Sequence, residues 1–266
     1  MTQIKKPDWG RRIERAIDLA EEHPRTAEVL NFYRRILDFQ RALYETVSSH
    51  AVHNLEGPFR QRLDFDLATR QLPALLSLVQ KAGPSKLAQQ AAELAQVPSE
   101  QQRQMLREFL AVPNADDTTP ICFFARVLFQ PLAESLAAVA APPTGFAGPS
   151  CPVCGSRPLV AVLRPEGDGG KRFLVCSFCM TEWEFRRILC PICGEEDHAK
   201  LPRYTADGIS AVRVEACDTC HYYLKSIDMT VDGLAVSLVD EIATTPLDIW
   251  AIEHGYKKAS LNLMGF

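Results

Sequence analysis

Four Cys-x-x-Cys pairs stand in the second half of this chain: Cys151 and Cys154, Cys176 and Cys179, Cys190 and Cys193, Cys217 and Cys220. No other feature restricts the fold as much. Each such turn sets two sulfurs at adjacent corners of a tetrahedron, and a second turn some twenty residues later supplies the other two. The stretches between, Gly155 to Val175 and Gly194 to Ala216, are nearly equal in length. Each can form a hairpin that leaves on one knuckle and returns on the next. The eight sulfurs therefore read as two closed metal sites, Cys151, Cys154, Cys176 and Cys179 in the first and Cys190, Cys193, Cys217 and Cys220 in the second.

The opposing reading, disulfides or redox dithiols, fits poorly. Disulfide frameworks belong to small secreted chains, whereas this one opens MTQIKKPDW with no apolar signal segment, so a reducing cytoplasm is expected. A thioredoxin-type dithiol occurs once, on a strand-to-helix turn; here the motif occurs four times without that context. CPVCG and CPICG also place proline inside the turn and glycine after it. Glycine tolerates the left-handed backbone that aims amide groups at a ligating sulfur. CSFCM and CDTCH lack that glycine. The layout as a whole is that of rubredoxins and zinc ribbons.

Length and charge bound the rest. At 266 residues and 47% apolar content the chain can build a real core. Its most lipid-like stretch, Ile121 to Ala141, is interrupted by Arg126, Gln130 and Glu134, so no membrane insertion is expected. The formal net charge is -4, and residues 151–240 hold ten Lys and Arg against thirteen Asp and Glu. Metal–thiolate centres would deepen that acidic excess, which argues against nucleic acid as a partner.

The first part reads as helical. Val29, Phe32, Ile36, Phe39, Leu43 and Val47 recur at three- and four-residue steps and share one face. Further helices are predicted over Trp9 to Glu22, Pro73 to Lys81, Ser85 to Gln96, Ser99 to Ala111 and Cys122 to Ala140, with breaks at Gly57-Pro58, Gly83-Pro84, Pro98, Pro113 and Pro120. APPTGFAGPS at 141–150 is a linker. Beyond it CPVCG recurs as CPICG 39 residues on, as tandem copies of one unit would. Leu159 to Leu163, Arg172 to Val175 and Ala211 to Glu215 have the short, β-branched look of ribbon strands. After Val231 to Val239 comes a last helix with Thr245 as N-cap, Pro246 in its first turn and Gly255 past its end. The expected fold is multidomain α+β: an all-α bundle over 1–140, the linker 141–150, two tandem rubredoxin-like (zinc-ribbon-like) metal subdomains at 151–185 and 186–240, and a C-terminal helix and tail at 241–266.

A cation held by four cysteines keeps no position open for water or substrate, so a structural or one-electron role is expected. Iron and zinc both accept such a site, and the donors do not choose between them. His198 and His221 lie near knuckles, but each site already has four sulfurs. His23, His50, His53 and His254 have no ligand partner pattern, and Cys122 sits in an apolar run as a buried inert thiol. Trp183, Tyr222 and Tyr223 read as cover for the metal sites rather than stacking platforms, and Arg186 and Arg187 as a solvated doublet. No phosphate loop, nucleophile elbow or paired-carboxylate motif is present, so no catalytic residue is expected and the chain reads as a non-enzyme.

CPVCGSRP at Cys151 to Pro158, CSFCMTEW at Cys176 to Trp183, RILCPIC at Arg187 to Cys193 and CDTCHYYLK at Cys217 to Lys225 together resemble the formate dehydrogenase accessory proteins, the FdhE family. The stretch Asp232 to Leu247 and EHGY at Glu253 to Tyr256 are also similar. The resemblance implies a cytoplasmic maturation factor with a helical N-terminal domain and two rubredoxin-like subdomains. Each would bind one iron ion, zinc being the alternative, through its own four cysteines. It further implies binding to the molybdenum-dependent catalytic subunit of respiratory formate dehydrogenase before twin-arginine export. Two other readings compete. A rubredoxin-like electron carrier leaves the helical part without a role, and a zinc-ribbon nucleic-acid binder meets the acidic excess.

Overall fold

In a computed structural model, which describes residues 6–49, 56–112, 119–140, 142–167 and 169–266, the predicted helices form close to their expected limits. His50, His53, Pro113 and Ala141 lie outside the described residues. The helices of the first part are α1 (Trp9–Glu22), α2 (Ala27–Ser49), α3 (Phe65–Arg70), α4 (Leu72–Ala82), α5 (Ser85–Ala95), α6 (Ser99–Ala111) and α7 (Pro120–Ala137). Their boundaries have local causes. Asp8 caps α1 by accepting from the Arg11 amide at 2.9 Å, and Pro84, Pro98 and Pro120 stand where α5, α6 and α7 begin.

The buried side of α2 is wider than the stripe of six. Leu30, Tyr33, Leu37 and Gln40 are buried beside Phe32, Ile36 and Leu43, because the helix packs against both α1 and α7. The sequence reading placed only a break between α2 and α4. That interval holds a 3-10 turn, Phe59–Arg62, and the short α3, neither long enough to display a helical period.

α7 is buried almost throughout, and its three polar interruptions are all satisfied. Glu134 takes a two-pronged bond from Arg12 at 3.0 and 2.8 Å. Gln130 accepts from Gln40 at 3.2 Å and donates to the Ser177 carbonyl at 3.2 Å, while Arg126 donates to the Leu261 carbonyl at 2.7 Å. Gln130 and Arg126 thus tie the helical part to the cysteine-bearing half of the chain.

After residue 150 each ribbon makes a three-stranded meander. The first comprises β1 (Pro158–Glu166), β2 (Gly169–Cys176) and β3 (Glu182–Glu184), the second β4 (Arg203–Ala206), β5 (Ile209–Ala216) and β6 (Tyr222–Asp228). The two meanders fuse into one sheet of order β3-β2-β1-β6-β5-β4, joined by parallel pairing of β1 and β6 with Val160 opposite Lys225 and Val162 opposite Ile227. β7 (Lys257–Lys258) adds to the end of β6. Side chains alternate across the sheet. Ala161, Leu174 and Leu224 join the helical core, whereas Val160, Val162, Phe173, Val175, Val214 and Ile227 face a second core closed by Leu247 and Ala251.

The tail holds α8 (Ser237–Ala243) and α9 (Thr245–Glu253), so the segment Val231 to Val239 runs into a helix. Thr244, not Thr245, is the N-cap of α9. Its hydroxyl does not cap, because α8 ends at the same residue and Thr244 Oγ1 donates back to the Asp240 carbonyl at 2.8 Å.

Candidate metal centre

Each knuckle is one backbone motif used four times. The amide of its first cysteine donates to the carbonyl five residues on: Cys151 to Ser156 at 2.8 Å, Cys176 to Thr181 at 3.0 Å, Cys190 to Glu195 at 2.9 Å and Cys217 to Tyr222 at 3.0 Å. The residue after the second cysteine is left-handed in every case, with φ of 75° at Gly155, 57° at Met180, 79° at Gly194 and 58° at His221. The two knuckles without glycine therefore adopt the same turn as the two with it.

This turn aims amides at sulfur. Val153 N–H donates to Cys151 Sγ at 3.4 Å, Phe178 N–H to Cys176 Sγ at 3.3 Å and Ile192 N–H to Cys190 Sγ at 3.4 Å. Such bonds favour thiolate over thiol. The hairpins bring the knuckles together in sequence order, so Cys151, Cys154, Cys176 and Cys179 form one group and Cys190, Cys193, Cys217 and Cys220 the other, each within 4.8 Å. Sulfur separations are 3.6 Å for Cys151 and Cys179, 3.3 Å for Cys154 and Cys176, 3.7 Å for Cys190 and Cys220 and 3.6 Å for Cys193 and Cys217. A tetrahedral metal–thiolate site with bonds of about 2.3 Å has edges of about 3.8 Å, so both donor sets fit a cation. Two such clusters could bind two metal ions.

Because β1 and β6 run parallel, the knuckles that precede them, Cys151–Cys154 and Cys217–Cys220, lie at the same end of the sheet. The surroundings of the clusters differ. All four sulfur-bearing residues of the first are buried, with Phe178 and Trp183 in the surrounding core, whereas Cys193 is exposed and Cys220 half-buried in the second. The protons are shared unequally as a result. Burial pushes Cys176 and Cys179 well up, while hydrogen bonds from Cys151, Cys176 and Cys179 hold Cys154 well below the usual thiol range. In the second cluster burial pushes Cys190 and Cys220 up. Burial also opposes ionisation of Cys193, but the Glu195 amide and the other sulfurs outweigh it and lower that thiol. A bound cation would displace the shared protons and draw all four sulfurs to thiolate.

Other residues singled out by sequence fall into place. His198 and His221 join neither cluster. Trp183 is buried and donates from Nε1 to the Gly148 carbonyl at 3.0 Å, and Tyr223 is buried with its hydroxyl on Asp248 at 2.9 Å, so both are core. Arg186 is not simply solvated, since it forks onto Glu196 at 2.7 and 3.1 Å. Cys122 is a buried thiol beside the Thr119 hydroxyl. Sequence reasoning missed Thr219, which donates to Glu195 at 2.6 Å and bolts the two knuckles of the second cluster together. It also missed Arg60, brought beside the first cluster from the helical part, where its guanidinium lies 4.2 Å over the Phe178 ring. No local pattern marks either residue.

Comparison with known proteins supplies the family. Residues 150–187 match the FdhE central domain and residues 188–264 the FdhE C-terminal domain. A protein FdhE homolog of Aquifex aeolicus is 28% identical, over 100% of this chain and 98% of the relative. One from Pseudomonas aeruginosa is 38% identical over 119 residues, covering 43% of this chain and 38% of the relative. The crystal structure of the FdhE protein from Pseudomonas aeruginosa superposes with a TM-score of 0.71 at 23% identity over 98% of each chain, which makes the fold the same. The two domain matches and the full-length homologue support an FdhE family protein in the chain that carries these two four-cysteine clusters.

Proposed function

We propose that this protein is an accessory factor for the maturation of respiratory formate dehydrogenase, working in the cytoplasm by binding the enzyme's catalytic subunit and not by turning over a substrate. The observation that carries the reading is the pair of complete four-sulfur clusters in a chain whose relatives bear the FdhE name. On this reading Cys151, Cys154, Cys176 and Cys179 ligate one ion and Cys190, Cys193, Cys217 and Cys220 a second, iron in each with zinc as the alternative. Four protein ligands leave no coordination position for water or substrate, which supports a structural or redox part for the metals. Among the described residues no helix is long and apolar enough to cross a membrane, in keeping with a partner met in solution.

The direct test is co-purification. Tagged protein from an anaerobically grown host should bring down the formate dehydrogenase catalytic subunit, and a clean deletion strain should make that subunit but leave it inactive. Normal formate dehydrogenase activity in the deletion strain would sink the assignment.

A further inference from the structure

Arg60 reaches the first cluster from the helical part of the chain. It stands on the 3-10 turn Phe59–Arg62, and Nη2 donates to Ser156 Oγ at 3.1 Å, two residues beyond Cys154. Its stacking partner Phe178 lies inside the Cys176–Cys179 knuckle, and Arg60 and Cys154 line one cavity. Among the described residues, Nε and Nη1 are buried with no hydrogen-bond acceptor. A guanidinium so placed is costly without a counter-charge.

The charge at hand is that of sulfur. Burial pushes the Arg60 pKa down, and the sulfurs of Cys154, Cys176 and Cys179 act in the opposite direction. Four thiolates around a divalent ion keep a net charge of about -2, so a filled first centre would supply what Arg60 lacks. Two cations near the second cluster, Arg172 and Lys200, are placed otherwise. Arg172 pairs with Glu215 at 2.9 Å and Lys200 faces Glu195 at 3.8 Å, so carboxylates already answer them.

We propose that Arg60 is the counter-cation of the first metal–thiolate centre, so that filling this centre, and not the second, tightens the helical part of the chain on the sheet. The proposal rests on the cysteines being metal ligands, and cobalt(II) separates the two questions. The full chain is titrated with cobalt(II) against a chelator while thiolate-to-cobalt absorption is followed; Cys193→Ser removes the second-centre phase and so identifies the first. Arg60→Gln should weaken cobalt at the first centre by about tenfold and leave the second within about twofold, and Arg60→Lys should recover most of the loss because a point charge suffices. Amide exchange across Phe59–Arg62 should slow when the first centre fills in the unsubstituted chain, but not in Arg60→Gln. The unchanged second centre and the lysine variant keep the result readable if glutamine loosens the fold. Equal first-centre affinity with and without Arg60, equal weakening at both centres, or no recovery by lysine overturns the proposal. Absence of cobalt–thiolate absorption in the unsubstituted chain overturns the ligand reading instead.

Discussion

His221 holds a backbone conformation that an L-residue adopts at a cost of about 1–2 kcal/mol, and it does so because the knuckle needs the turn more than the residue resists it. Its side chain is exposed, so replacing it removes little packing. His221→Gly is expected to stabilise the metal-loaded protein by about 0.5–1 kcal/mol in urea unfolding, the relief of strain less the extra freedom of glycine in the unfolded chain. Met180 is half-buried against the second core, and there the lost contacts should cancel the gain. The converse holds at Gly194, where an added Cβ would meet no atom within 4 Å yet φ is 79°. Gly194→Ala should cost about 1 kcal/mol through backbone conformation alone. Equal effects at Gly194 and His221 would contradict this account.

Between elements, a buried ionic quartet pins the tail to the sheet. Lys225 on β6 meets Asp248 on α9 at 2.6 Å and Glu241 on α8 at 3.1 Å; Lys258 on β7 meets Asp248 at 2.9 Å and also bonds Glu241. Asn262 adds a bond to Glu241 at 2.8 Å. Burial alone would raise the Glu241 carboxyl, but Lys225 and Lys258 outweigh it and hold the group below its ordinary value. The folded value lies under the unfolded one, near 4.3, so this stabilisation is complete above about pH 5 and is lost as pH falls through the folded value. Glu241→Gln should remove that share of the acid loss below about pH 5. At neutral pH it should cost about 3–5 kcal/mol, since two buried lysines would share one carboxylate. Urea unfolding of both proteins across this range checks the sign and the size.

At the scale of the molecule the two centres share one end of the sheet but not one environment, and metal removal should expose the difference. Metal analysis is expected to return about two ions per chain, and Cys151→Ser to remove one and leave the other. A chelator should strip the second centre first, because Cys193 is exposed and every cysteine of the first centre is buried. Simultaneous loss of both ions would mean that the centres are coupled through the β1–β6 seam. Metal binding to a small ribbon contributes on the order of 10 kcal/mol, so stripping should unfold ribbon structure before the helical core is disturbed.

What the sequence determined by itself is what short-range spacing can encode. A Cys-x-x-Cys turn is closed within a few residues, a hairpin of about twenty returns to its start, and a helical stripe repeats every three or four positions, so the two sulfur sets and the helices were legible. The tertiary structure decided the rest. The fusion of two ribbons through β1 and β6 joins Val160 to Lys225, Arg60 reaches a cluster that begins at Cys151, and Lys225 and Lys258 share carboxylates carried by two separate helices. None of these pairings leaves a local period. Even the left-handed turns at Met180 and His221, invisible as residue types, are imposed by the knuckle that closes around them, because folding can hold a residue in a conformation its side chain disfavours once enough neighbouring contacts demand it.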